Sequence, residues 1–218
     1  MNNVSNIEIR KRALQLLERE TGADIERTQQ LLEAYCVLIL KWNAFASLVS
    51  SRDTRHLWVH IADSLSLVGL IKELGAPSPR LLDIGSGAGF PAVPLALTFP
   101  NMHASLVERS RKKAGFLENL RGKLGLKSRV TIEQGAFPDE ITLENPEGWL
   151  ITARAVDKPE KVWPGVREAV KKGAFFLCQW PDMPPEAESM FHVEQIIDDW
   201  TENDLRRGTL HLIRKGKA

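Results

Sequence analysis

Between Leu81 and Pro91 the chain reads Leu-Leu-Asp-Ile-Gly-Ser-Gly-Ala-Gly-Phe-Pro, an apolar run followed by an acid and three glycines at alternate positions. Glycine lets a backbone turn sharply and approach a ligand with no Cβ in the way, and amides at the start of a following helix offer donors to an anionic group. Gly85, Gly87 and Gly89 therefore describe a ligand cradle between a strand and a helix, the alternative being a purely structural tight turn. In the dinucleotide pattern Gly-x-Gly-x-x-Gly the third glycine falls at position 90, which is Phe90, so a nicotinamide enzyme is not expected. The next apolar run ends Leu106-Val107-Glu108. A carboxylate at the tip of that strand can accept two hydrogen bonds from ribose hydroxyls.

Further along, Arg109, Arg111, Lys112, Lys113, Arg121, Lys123, Lys127 and Arg129 form a basic run interrupted by Glu118 alone. Such a run either meets phosphates or is a solvated helix face. Arg154 is a planar donor suited to a carboxylate or a phosphate, or else a surface ion-pair residue. His60 and Asp63, three residues apart on one helical face, can clamp a ligand or bond locally. Cys36 and Cys178 lie far apart without metal-ligand spacing and read as core residues. Trp42 and Trp58 read as packing anchors. His192 and His211 belong to no cluster that would hold a metal, and none is expected.

The elements that must position these residues follow from periodicity. Residues 5–42 read as helical, with Leu31, Tyr35, Leu38 and Trp42 at helical intervals and Leu32 and Ile39 widening the apolar stripe. A second helical pattern from about His60 to Leu74 stops at Gly75, and Gly-Ala-Pro-Ser-Pro forms a connector. From Arg80 short apolar runs alternate with helical segments, as βαβ units around a parallel sheet require. Strands are predicted at 80–84, 103–108, 129–133, 149–153, 173–179, 191–197 and 209–214, and helices at 91–98, 110–125, 158–171 and 183–189. Pro-Asp-Met-Pro-Pro at 181–185 breaks the chain before a hairpin-like antiparallel finish.

The 218 residues suffice for one well-buried domain with an accessory segment, and 43% hydrophobic with 26% charged residues is ordinary for a globular protein. A net charge of +1 gives no global sign of a polyanionic partner. No apolar stretch approaches the roughly 20 residues of a membrane span. The first twelve residues lack the apolar core of a secretory leader, and the expected location is the cytoplasm.

The spacing Gly85-x-Gly87-x-Gly89, after Asp83 and before Pro91, resembles the first motif of class I S-adenosylmethionine-dependent methyltransferases. The longer stretch from Gly85 to Ala96 is similar to the extended motif of the bacterial 16S ribosomal RNA guanine-N7 methyltransferases, formerly called glucose-inhibited division protein B. Lys41-Trp42-Asn43, His60 to Leu65, Glu108 to Lys113 with Phe116-Leu117, Ala153-Arg154-Ala155 and His211 to Lys215 agree in order, so the resemblance spans about residues 31–215. It implies an α/β, Rossmann-like domain over 78–218 with a mostly parallel seven-stranded sheet and an antiparallel last strand, preceded by an N-terminal helical segment over 1–77. S-adenosyl-L-methionine is the implied cofactor, held by Asp83, Gly85, Gly87, Gly89, Phe90, Glu108, Ala136, Phe137, Pro138 and Arg154. The implied partner is ribosomal RNA of the small subunit, met by His60, Asp63, Arg109, Arg111, Lys112, Lys113 and Arg214. The chain departs from the family at Gly135-Ala136-Phe137-Pro138, where an Arg-Ala-Glu-like stretch is usual, and at Gln179-Trp180, where Lys-Gly is usual.

Guanine N7 bears a lone pair and no proton, so no general base is implied and no catalytic side chain is assigned. After the fourth strand the chain has Ile151-Thr152-Ala153-Arg154, without the Asn/Asp-Pro-Pro-aromatic turn of amine methylation or a cysteine for attack on a pyrimidine. Two rivals remain open on sequence: a class I methyltransferase for a small molecule or protein, and a non-catalytic RNA-binding or assembly protein.

Overall fold

A computed structural model describes residues 5–22, 24–75, 78–154, 156, 158–184 and 186–216. The segment before Ser5, Ala76 and Pro77 of the connector, Ala155 and Pro185 lie outside the described residues, and the expectations resting on them go no further.

The helical run expected over 5–42 is two helices, α1 (Asn6–Thr21) and α2 (Ile25–Ala46). Gly22 takes the left-handed conformation that few other residues adopt cheaply, at φ 63°, and closes α1, while Asp24 caps α2 by accepting from the Arg27 amide. The run expected from His60 to Leu74 also divides, into α3 (Leu57–Leu65) and α4 (Val68–Glu73), where the Ser66 hydroxyl donates to the Asp63 carbonyl.

The α/β part follows with β1 (Arg80–Ile84), α5 (Ala92–Thr98), β2 (His103–Glu108), α6 (Arg111–Lys123), β3 (Val130–Gln134), β4 (Trp149–Thr152), α7 (Pro159–Lys171) and β5 (Phe175–Cys178). It closes with α8 (Ala187–Met190), β6 (His192–Ile196), α9 (Asp199–Glu202) and β7 (Leu210–Arg214). The helix expected at 183–189 is reduced to one turn, since Pro184 precedes it, and α9 is an unanticipated turn capped by Asp198.

The seven strands form one sheet in the order β3-β2-β1-β4-β5-β7-β6. The first five are parallel, and β7 runs antiparallel to both β5 and β6. Chain order reverses beside β1, which opens a crevice at the carboxyl ends of β1, β2 and β4. Strands in the middle of such a sheet are covered on both faces, and β1 is buried from Leu81 to Ile84. One core layer joins Leu81, Leu106 and Leu150 to apolar residues of α1–α6, and the other joins Leu82, Val107 and Ile151 to α7.

The N-terminal helices are tied to the end of the chain by two buried anchors. Trp200 is fully buried and its indole donates to Glu20 on α1 at 2.9 Å. The Arg206 guanidinium, 1% exposed, donates to the Ser66 hydroxyl and carbonyl, the Ile196 carbonyl, Thr201 and Asp198. Arg206→Met strands those acceptors, and urea titration is expected to show a loss of about 2–3 kcal/mol, tempered by the partial exposure of Asp198. An unchanged midpoint contradicts this role.

Candidate functional site

Gly85, Glu108, Arg109, Lys113, Ala136 and Phe137 come together at the carboxyl edge of the parallel strands, whereas other expected site residues do not. Gly85, Gly87 and Gly89 all have positive φ, at 71°, 56° and 97°. Their amides are spent within the protein: Gly85 and Ser86 donate to the Val107 carbonyl, Gly87 to Glu108 and Gly89 to the Ser86 carbonyl. The glycines therefore offer the cleft a backbone without Cβ atoms rather than free amides of their own. Gly89 is a packing glycine, since a Cβ there would stand 2.7 Å from Val93 Cγ2. Its neighbour is Tyr35 on α2, fully buried, whose hydroxyl donates to the Ala88 carbonyl at 2.8 Å and whose ring meets Phe90 edge-on.

Glu108 binds the turn to the next helix. Its Oε2 accepts from the Gly87 amide at 2.9 Å and its Oε1 from the Ser110 amide at 2.7 Å. A carboxylate has about four acceptor positions, so roughly two remain for vicinal hydroxyls. Glu108, Gly85, Val107, Ala136, Phe137 and Val162 line a cleft of about 340 Å³, with Arg109, Lys113, Lys158 and Lys161 among its cations. This volume lies within the usual range for small-ligand sites.

The departure at 135–138 leaves that wall intact. Ala136 faces the cleft, while Phe137 and Pro138 press on Gly165 of α7, where any Cβ would clash with both. Pro138 is thus a backing residue.

Asp83 is fully buried and does not reach the cleft surface. Its Oδ1 accepts from Thr152 at 2.7 Å, and its Oδ2 is a buried acceptor with no partner among the described residues. Burial pushes its pKa up to about 7, against the opposing pull of the Thr152 and Ser86 hydrogen bonds and of Arg154.

Two further expectations change. Asp63 is 1% exposed and cannot meet RNA: its carboxylate accepts from Arg154 Nη2 at 2.8 Å, the Arg207 amide at 2.6 Å and Gln179 at 3.3 Å. Gln179 thereby fills the position where the family usually has a cation, and Trp180 packs against Phe176 while its indole donates to the Ala153 carbonyl. Arg214 lies at the wrong edge of the sheet. In the β5–β7 register Cys178 faces His211 and Phe176 faces Ile213, which puts Arg214 at the amino edge, paired with Glu194.

The basic run likewise splits, because α6 carries it across the sheet. Arg109 to Lys113 stand at the carboxyl edge, whereas Arg121 and Arg129 bind carbonyls at Val130, Ala96 and Phe99 towards the other.

His60 stacks on Phe90 with centroids 5.3 Å apart and lies 3.5 Å from the exposed Arg207. Burial and then the Arg154 and Arg207 guanidinia lower its pKa, so it is neutral at pH 7. Tyr35, Lys158, Lys161 and Arg207 are site residues that sequence reasoning missed. Arg207, with Arg206 as its only cationic neighbour in sequence, and the two lysines lie outside any basic run, and Tyr35 looked like one more apolar helix position. Among the described residues, no cluster of His, Cys, Asp or Glu has the geometry to hold a metal ion, and no helix is long and apolar enough to cross a membrane.

This sheet, with a glycine turn after β1 and an acid after β2, defines a Rossmann-like class I methyltransferase. A Methanococcus maripaludis protein described as an S-adenosyl-L-methionine-dependent methyltransferase superposes with a TM-score of 0.53 at 14% identity, covering 73% of this chain and 86% of its own. Residues 28–181 match the GidB family, rRNA small subunit methyltransferase G, and the chain belongs to that family. Ribosomal RNA small subunit methyltransferase G of Xylella fastidiosa is 36% identical over 155 residues, 65% of this chain and 68% of that protein. Its namesake from Nitrosomonas europaea is 37% identical over 127 residues, 58% and 56% of the two chains.

The raised pKa of Asp83 sets a pH dependence of stability. An unfolded chain releases this proton near 3.8, whereas the folded one keeps it to about 7, so folding binds a proton between those values and stability falls as pH rises through them. Asp83→Asn removes that penalty. Its unfolding midpoint in urea, relative to the wild type, is expected to be higher at pH 8 than at pH 5, and a pH-independent difference contradicts the assignment.

Proposed function

We propose that this protein transfers the methyl group of S-adenosyl-L-methionine to guanine N7 of 16S ribosomal RNA in the small ribosomal subunit, in the cytoplasm. The observation that carries the RNA side is the first turn of α6. Arg111, Lys112 and Lys113 fill it, Arg109 precedes it, and it holds no acid. Each cation at the positive end of a helix dipole costs roughly 0.3–1 kcal/mol when exposed. The carboxylate at this helix start is that of Glu108, already engaged by the Gly87 and Ser110 amides, and the four cations outnumber it, an excess that a phosphate backbone neutralises. Lys113 and Arg109 carry the same positive field into the cleft.

The cleft fits the cofactor. The free acceptor positions of Glu108 take the ribose hydroxyls, Ala136 and Phe137 lie beside the adenine, and the Gly85 turn passes under the chain, with Asp83 buried behind that turn. Arg154, with donors beyond those used on Asp63 and Ser64, stands at the carboxylate end. When bound, the cofactor supplies an electrophilic methyl group. The protein's own task is to hold guanine in line with it, a proximity effect that reaches about 7 kcal/mol or more in favourable cases. N7 carries no proton, so no residue has to remove one. Neutral His60, stacked on Phe90, stands on the substrate side beside the exposed Arg207.

Methyl transfer to 16S rRNA is expected to weaken with salt, with a log–log slope near 0.7–0.9 per phosphate engaged. Arg111→Ala combined with Lys113→Ala should reduce that slope by about two phosphates' worth. Glu108→Ala should instead weaken S-adenosylmethionine binding about tenfold or more in calorimetry. A flat salt response overturns the RNA assignment, and unchanged cofactor affinity of Glu108→Ala overturns the cleft assignment.

A further inference from the structure

The outer face of α2 is unusually apolar for a surface next to so many charges. Phe45 is 60% exposed, Leu40 49% and Val37 47%, and all three lie on the solvent side of the helix whose buried side carries Tyr35. Exposed apolar side chains so grouped commonly mark an interaction site. The Phe45 ring is held in place: Trp42 meets it edge-on with centroids 5.9 Å apart, and Lys112 Nζ stands 5.0 Å from its centroid. Lys41 is exposed one helical turn before Phe45, and Arg111 is exposed beside Lys112. A fixed aromatic ring among cations is the arrangement by which proteins bind unpaired nucleotides, with the ring stacking a base and the cations tracking the backbone.

We propose that Phe45 is a stacking platform for an unpaired base of the RNA substrate, flanking the nucleotide that enters the cleft. The proposal rests on the RNA reading above and extends it from charge to a particular contact. Position supports it: Lys112 stands over the ring and Lys113, the next residue of α6, lines the cleft, so one turn of α6 serves both the ring and the site. Charge complementarity supports it as well, because Lys41, Arg111 and Lys112 put positive charge at the Phe45 end of the apolar face, which suits a polyanion, while Glu33, one turn before Val37, is paired with Arg10. A second copy of this chain would bring the same cations against each other.

The test compares Phe45→Ala and Phe45→Trp with the wild type in methyl transfer to 16S rRNA, alongside calorimetry with S-adenosylmethionine and sedimentation of each protein. Stacking one base is expected to make Phe45→Ala raise KM for RNA about tenfold while leaving cofactor affinity and the salt slope unchanged, since no phosphate contact is lost. Phe45→Trp should restore KM, which a loss of mere packing would not predict. Wild-type KM in Phe45→Ala overturns the platform while leaving the RNA reading intact, provided the wild type methylates RNA. A wild type that binds cofactor yet ignores RNA removes the RNA reading itself. A wild-type dimer that Phe45→Ala dissociates assigns the face to a second copy and overturns the proposal.

Discussion

Everything on the substrate side of the site hangs on one buried carboxylate. Asp63 sits at the end of α3 and is almost without solvent, so its charge must be met by protein. It is met from three directions: Arg154 beyond β4, Gln179 beyond β5 and the Arg207 amide before β7. Those three segments belong to different parts of the chain and adjoin the neighbouring strands β4, β5 and β7. One anion from the helical segment therefore fixes the rim of the crevice, and with it the positions of Arg154 and Arg207 on either side of His60.

Glu108 does the equivalent work on the cofactor side, gripping the glycine turn through Gly87 and the start of α6 through Ser110. The two carboxylates leave different things over. Glu108 keeps acceptor positions that face the cleft. Asp83, deeper in, keeps an unpartnered oxygen among the described residues, whose burial is unfavourable to the folded protein. From the N-terminal side Tyr35 holds the turn, donating to the Ala88 carbonyl and meeting the Phe90 ring edge-on.

Much of this was visible in the sequence. The alternation of apolar strands and helices located all seven strands to within about two residues, because central parallel strands have little but apolar residues to offer. The glycine spacing and Glu108 were legible because backbone geometry demands those residue types. What escaped the sequence was long-range. Gly22 and Ser66 break helices whose apolar periodicity continues across the break, so the pattern alone joined them. Asp63 looks like any polar helix residue until its three distant partners come together. Arg214 read as a site cation because its neighbours match the family, yet the antiparallel register of β7 carries it to the far edge and puts Arg207 near the crevice instead. The basic run looked continuous, but a helix spanning the sheet delivers its two ends to opposite edges.

The most direct measurement is the destination of the methyl group. Protein incubated with radiolabelled S-adenosylmethionine and with 16S rRNA or small subunits lacking the modification should place the label in RNA, and nuclease digestion with mass spectrometry should recover it as 7-methylguanosine. Label in another base, in protein or in a metabolite, with 7-methylguanosine absent, contradicts the account.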